Sequence, residues 1–264
     1  MVSGEMIGAL GMTEPGTGSD VKAIKTRAVR DGDYYVINGS KTFITNGHNC
    51  GIVVVAASTD PTAGRKGISL IAVEEGTPGF VKGNKLKKIG LPAQDTSELF
   101  FDDVRVPVAN LLGEENRGFY CLMHELAQER LAIAVRAAAS LEGMLEETIE
   151  YTKTRKAFGN TLIEFQNTKF KLAEAKSYIE MLRTFVDDCL KQHLRGELSA
   201  ERAAMAKLVA TETQGKWLDE MLQMHGGYGY MREYTVGRAW LDARVMRIYG
   251  GTSEVMKEII SRNL

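Results

Sequence analysis

Two patterns of apolar positions divide this chain. Short β-rich runs bounded by turn residues come first, and a helical apolar period takes over from about residue 114. In the first part, Tyr34-Tyr35-Val36-Ile37 stands between two turn signals, Asp31-Gly32-Asp33 and Asn38-Gly39-Ser40. Gly51-Ile52-Val53-Val54-Val55-Ala56, Ile68-Ser69-Leu70-Ile71-Ala72-Val73 and Leu99-Phe100-Phe101 add further strands. Strands this short and closely spaced predict a compact antiparallel sheet or barrel. In the second part Phe119, Leu122, Leu126 and Ile133 share one helical stripe, which continues past Leu141 towards Tyr151. Further helices are predicted over about 164–194, 199–224, 232–247 and 252–262. All five prolines lie at or before Pro107, which leaves the remainder free for long helices. The fold class expected is α+β: an antiparallel β-sheet or barrel domain over 1–108, then an all-α antiparallel four-helix bundle over 109–264.

The 264 residues suffice for one large domain or two modest ones. A net charge of −1 gives no global field to recruit nucleic acid or an anionic membrane. Cys50, Cys121 and Cys189 are odd in number and far apart. They fit neither a disulfide framework nor a zinc cluster, and they indicate a reducing compartment. No signal peptide is evident, and no apolar run approaches the ~20 residues that cross a bilayer. His48, His124 and His193 show no ligand spacing, so no metal is expected.

The most specific local string is Leu10-Gly11-Met12-Thr13-Glu14-Pro15-Gly16-Thr17-Gly18-Ser19-Asp20. Gly16 and Gly18 let the backbone approach a ligand closely, and Thr13, Thr17 and Ser19 set hydroxyls beside it. The spacing is not that of a dinucleotide fingerprint, and no βαβ unit surrounds it. Taken alone, it reads as a turn-rich surface loop.

The string closely resembles the T-E-P-G-x-G-S-D motif of the acyl-CoA dehydrogenases, flavoenzymes that desaturate acyl-CoA thioesters. Four more blocks resemble that family in the same order. They are Phe43-Ile44-Thr45-Asn46-Gly47, Arg155-Lys156-Ala157-Phe158-Gly159, Gln223-Met224-His225-Gly226-Gly227-Tyr228-Gly229-Tyr230, and Tyr249-Gly250-Gly251-Thr252-Ser253-Glu254. Within the family, Glu129, Gly250 and the Gly226-Gly227 pair look most like the long-chain members. The resemblance implies FAD as cofactor. Leu10, Met12, Thr13 and Ser19 would line its isoalloxazine, with Ser19 also close to the CoA portion. Phe43, where many relatives have tryptophan, would keep an aromatic contact, and Ile44 and Thr45 would follow it along the ring. Arg155 would reach the FAD pyrophosphate of a neighbouring subunit, with Phe158 beside the adenosine half. Phe165-Gln166 matches a pair that often reads His-Gln in the family. Gln223, Met224, His225, Gly226 and Gly227 would supply backbone near the adenosine end, and Thr252 and Glu254 would contact the cofactor again. Each block has a bland counterpart: the glycines can simply end a helix, and His225 can be a satisfied half-buried histidine.

Gly250 occupies the motif position that holds a glutamate in most members, and glycine abstracts no proton. Its N–H would still bind the thioester carbonyl as the resemblance implies, in the manner of an oxyanion contact. The reaction needs a carboxylate in a water-poor pocket, where desolvation raises its pKa. Glu129 lies three residues after Leu126 and four before Ile133, on the apolar stripe. Its helical neighbours include no cation at those spacings, and Glu125 is a like charge. An exposed glutamate is the plain alternative. Long-chain and isovaleryl-type members carry a glutamate on this helix, so the resemblance makes Glu129 the catalytic base. By the same resemblance Arg130, Gly251 and Arg262 would contact substrate. A base on this wall of the pocket should leave room for long or branched acyl chains.

The resemblance also implies a preceding helical domain of about a hundred residues, which this sequence lacks (a domain-sized unit). Water reaching the pocket in its absence would lower the Glu129 pKa. The expected protein is an FAD-dependent acyl-CoA dehydrogenase of fatty acid β-oxidation, passing electrons to an electron-transfer flavoprotein. It would be a homodimer or homotetramer without membrane span, cytoplasmic or, in a eukaryote, in the mitochondrial matrix. Two alternatives stay open: a flavin oxidase or nitroalkane-type relative, and a non-catalytic fragment that dimerises through its helices.

Overall fold

The computed structural model describes every residue of the chain except Asn263. It has two compact units, Met1–His124 and Glu125–Leu264, which divide within a long helix. In the first unit, eight strands form one sheet. They are β1 (Gly8–Gly11), β2 (Arg27–Asp31), β3 (Tyr34–Thr45), β4 (Ile52–Ser58), β5 (Ile68–Glu74), β6 (Phe80–Lys85), β7 (Thr96–Pro107) and β8 (Leu111–Leu112). The order is β6-β7-β3-β2-β4-β5-β8, with β1 on β4. The sheet is mixed, which corrects the purely antiparallel expectation: β1 runs parallel to β4, pairing Leu10 with Val54, and Arg27 of β2 pairs parallel with Ser58.

The second turn signal is also corrected. Asn38-Gly39-Ser40 does not turn the chain, because β3 continues through it to Thr45. A bulge between Ile37 and Gly39 absorbs the irregularity against β7. The Asn38 side chain locks it, donating to Asp103 Oδ1 and accepting from the Asp103 N–H, both at 2.9 Å.

Alternation along the strands fills the main core with Tyr35 and Ile37 of β3, Val53 and Val55 of β4, and Val104 and Val106 of β7. β4 and β5 are apolar on both faces, because Ala56, Ile68 and Leu70 form a second core with Leu122 of the first helix. That helix, α1 (Gly118–Thr154), sits so close to β5 that a Cβ on Gly118 would lie 2.8 Å from the Ser69 carbonyl carbon. Gly118→Ala should therefore lower stability by about 1–3 kcal/mol, measured as a shift in urea midpoint at constant m-value.

Among the described residues five α-helices follow the sheet, as many as the helical stretches read from the sequence, where the fold class expected was a four-helix bundle. Three are long: α1 with 37 residues, α2 (Gln166–Leu194) with 29 and α3 (Ala200–His225) with 26. Two are short, α4 (Thr235–Ala243) and α5 (Ser253–Ser261); α4 is shorter than the stretch read as 232–247 because the chain changes to a 3-10 turn at Arg244. α3 packs on α2, α4 and α5. Small residues in the shared core, Ala134, Ala137 and Ala138 of α1 and Ala206 and Ala210 of α3, let backbones approach. Ser199 caps α3, and Gly226 at φ 59° ends it. A two-stranded hairpin, β9 (Lys156–Ala157) and β10 (Asn160–Thr161), links α1 to α2.

Candidate active site

In the first unit, β1 leads into the glycine loop. Glu14 and Thr17 exchange backbone hydrogen bonds of 2.9 and 3.1 Å across Pro15-Gly16. The Thr42 N–H donates to the Thr13 carbonyl at 2.9 Å, which sets the loop beside the next residue, Phe43. Phe43 has φ 57° and leaves its ring 69 % exposed. A bulky residue in left-handed backbone costs on the order of 1–3 kcal/mol, and such strain concentrates at functional sites. Among the described residues the Thr13 and Ser19 hydroxyls make no hydrogen bond within the protein. An exposed ring, bare main chain and free hydroxyls fit a planar heterocycle with polar edges. Two expectations change here. The Ile44 side chain is 2 % exposed and belongs to the core, so only its main chain can face a ring. The Thr45 hydroxyl already accepts from Gln94 Nε2 at 2.9 Å.

Beneath this loop lies a buried ion pair. Lys41 Nζ donates to Glu14 Oε1 at 2.8 Å, to the Ala56 carbonyl at 2.7 Å and to the Met12 carbonyl at 3.2 Å. The Glu14 carboxylate also accepts the Lys25 N–H at 2.7 Å and the Thr26 N–H at 2.9 Å. Burial pushes the Glu14 pKa up, but bonds from Lys41, Thr26 and Lys25 outweigh it and the net shift is downward. Lys41 also shifts downward, since desolvation exceeds the help of Glu14.

In the second unit, α1 and the loop before α5 meet. Gly250 and Gly251 have φ 64° and 95°. A Cβ on Gly250 would lie 2.6 Å from Ile133 Cδ1, one helical turn beyond Glu129. Arg130 Nε donates to the Gly250 carbonyl at 3.3 Å, and Lys207 Nζ of α3 donates to the Gly251 carbonyl at 2.6 Å. The Gly250 N–H donates to no protein acceptor among the described residues. The structure thus brings Arg130, Gly250 and Gly251 together, and Glu129 lies on α1 next to Arg130 and one turn before Ile133.

Glu129 itself needs correction. It lies at the edge of the apolar stripe and is exposed, not enclosed. Its carboxyl is nevertheless crowded enough by protein that desolvation raises its pKa; Arg130 opposes this and Glu125 reinforces it. Arg130 is 6 % exposed and braces the loop through Nε on the Gly250 carbonyl. Arg262 is exposed and pairs with Glu258 on its own helix at 3.3 Å.

The remaining expected contacts lie elsewhere in this unit. Arg155 is exposed over the Tyr228 ring, 5.4 Å from its centroid. Phe158, at φ 53° in the hairpin, is 95 % exposed and meets Phe165 edge-on. Gln166, Gln223, Gly226 and Gly227 are exposed, whereas Met224 packs against the core. His225 is consumed by packing: its ring stacks on Tyr151 at 4.2 Å, Nδ1 meets the Met221 carbonyl, and its own carbonyl accepts from Tyr151. Thr252 caps α5 by accepting the Val255 N–H at 3.3 Å, and Glu254 is exposed in its first turn.

Residues 9–104 match the acyl-CoA dehydrogenase middle domain, and residues 116–264 match the acyl-CoA dehydrogenase C-terminal domain. The chain belongs to the acyl-CoA dehydrogenase family. It is 53 % identical to the pig mitochondrial long-chain specific acyl-CoA dehydrogenase, over all of this chain and 62 % of that protein. The chain therefore spans less than two thirds of that relative's length. A Bacillus subtilis acyl-CoA dehydrogenase is 42 % identical over all of this chain and 70 % of its own. The crystal structure of an acyl-CoA dehydrogenase from Geobacillus kaustophilus superposes with a TM-score of 0.97 at 51 % identity, covering 99 % of this chain and 70 % of that one.

Three buried groups that organise these family loops escaped the sequence reading: Glu14, Lys41 and Lys207. The signal for Lys207 was present, a lone cation whose helical neighbours are Ala203, Ala204, Ala210 and Thr211. Burial brings its ammonium down to about 8, with Arg130 adding to the fall and Glu212 and Glu254 opposing it.

Proposed function

We propose that this chain carries the flavin and acyl-CoA chemistry of an FAD-dependent acyl-CoA dehydrogenase acting on a medium-chain, long-chain or branched thioester. Glu129 takes the α proton, the Gly250 N–H binds the thioester carbonyl, and Phe43 with the 10–19 main chain holds the flavin ring. FAD, when bound, accepts the β hydrogen with its electron pair, so that an α,β-enoyl-CoA is formed. An electron-transfer flavoprotein then receives the electrons. Arg155, exposed at the end of α1, reaches the cofactor of a second copy, which makes the active form an oligomer. The reading rests above all on one observation: a glutamate whose pKa desolvation raises lies on α1 one turn before Ile133, which borders a glycine loop whose N–H meets no protein acceptor among the described residues. Loss of an α proton develops charge on the carbonyl oxygen, and in this reading that N–H is the donor that meets it.

The test is anaerobic titration of the FAD-loaded chain with a saturated acyl-CoA. Bleaching of the flavin, with enoyl-CoA as product, is the expected result. Rapid peroxide formation in air with no transfer to the flavoprotein would indicate an oxidase instead. Protein that stays colourless with added FAD would sink the whole reading.

A further inference from the structure

Lys207 is the least expected charge in the helical unit. Its side chain is wholly buried, yet among the described residues no carboxylate pairs with it. Glu212, the nearest acidic candidate by its influence on Lys207, is already taken by Arg247 at 2.7 Å and by the Ser253 hydroxyl at 2.5 Å. A buried ammonium without a counter-ion is costly, and an apolar side chain of similar shape would be cheaper. What Lys207 does hold is the Gly251 carbonyl, at 2.6 Å, while Arg130 holds the preceding carbonyl from another helix. These two carbonyls belong to adjacent glycines in left-handed backbone, the most pliable dipeptide in the family motif. Fixing both carbonyls fixes the two peptide planes that follow the Gly250 α-carbon, which leaves rotation about its own N–Cα bond as the motion that could swing the Gly250 N–H relative to them.

We infer that Lys207 is a positioning residue, clamping the Gly250-Gly251 loop jointly with Arg130 so that the Gly250 N–H is aimed at the acyl thioester carbonyl. The inference rests on the dehydrogenase reading and adds to it a residue that touches neither substrate nor flavin. A tether that served stability alone would show itself in unfolding and leave the bound carbonyl unchanged. A clamp shows the reverse, because a misplacement near 1 Å weakens transition-state contacts by about 10²-fold with little effect on ground-state binding.

The experiment uses the whole FAD-loaded chain and Lys207→Met. Enoyl-CoA labelled with ¹³C at the thioester carbonyl is bound, and its stretch is followed by infrared difference spectroscopy. Single-turnover flavin reduction by the saturated acyl-CoA is measured alongside. Expected is a folded, yellow variant with unchanged acyl-CoA affinity, a carbonyl stretch returned towards its value in water, and reduction slowed about 10²-fold. A folded variant with the wild-type stretch and reduction rate overturns the inference. Should Lys207→Met fail to fold, Lys207→Gln, with a neutral donor on a shorter stem, is read by the same two measurements against the same criterion. Failure of both to fold assigns Lys207 to stability and also overturns it. A wild-type chain that shows neither carbonyl shift nor flavin reduction sinks the functional reading itself, before any variant is compared.

Discussion

Glu129→Gln is expected to retain FAD and acyl-CoA while its flavin is reduced roughly 10²–10⁴-fold more slowly, the span that a general base supplies. The substitution is nearly isosteric and removes only the basic lone pair. No hydrogen bond or ion pair of the Glu129 carboxylate is lost among the described residues, so stability should scarcely move. The wild-type profile carries a second signature. Desolvation holds the Glu129 pKa above its ordinary value, against Arg130 and with Glu125. The base works only when deprotonated, so the reduction rate rises with pH and its acid limb lies above the ~4.3 of a free glutamate. That limb should vanish in Glu129→Gln. In Glu125→Gln it should move to lower pH, because a like charge has gone. Stopped-flow bleaching across pH checks all three. Unchanged reduction in Glu129→Gln with FAD still bound would move the base elsewhere.

The legible parts of the chain were those where a residue's local duty matches its sequence neighbourhood. The long helices follow from their apolar period and from the lack of proline after Pro107, and Gly226 stops α3 as a glycine beyond a helix end should. The glycine loop was visible because its residue types are unusual together. What stayed hidden depends on partners remote in sequence. β1 is only Gly-Ala-Leu-Gly, a poor strand former that becomes a strand because β4 offers it a parallel edge. Asn38-Gly39 resembles a hairpin turn, and only Asp103 on β7 makes it a bulge. Glu129 matched the apolar stripe in spacing, yet it falls at the stripe's edge, where one step of helical rotation separates burial from solvent. Arg130, its neighbour, took the buried side and with it the loop contact. Charged residues buried in apolar stretches are invisible to periodicity, since the pattern records them as interruptions.

Lys41 is the sharpest instance, and its removal should lower the stability of the sheet unit substantially. Lys41→Met would leave the Glu14 carboxylate buried without its cation, and breaking such a pair from one side costs about 3–5 kcal/mol. The loss should appear as a lower urea midpoint. Weaker FAD binding should accompany it, because the Met12 carbonyl loses its donor in the loop proposed to hold the flavin ring. The pH dependence separates the two halves of the pair. Glu14 has a depressed pKa when folded, so its contribution is complete above the unfolded carboxylate value and is lost as pH falls through the folded one. Lys41 also titrates below its free value when folded, which means that its burial opposes folding wherever it is charged. The double variant Glu14→Gln, Lys41→Met removes both charges and keeps an acceptor for one of the Lys25 and Thr26 N–H groups, which donate to different carboxylate oxygens. It should therefore recover part of the stability lost in Lys41→Met, and its acid limb should be flatter than that of the wild type. A double variant no more stable than Lys41→Met would show that the three carbonyl and carboxylate bonds of the ammonium, and not charge balance, hold the loop in place.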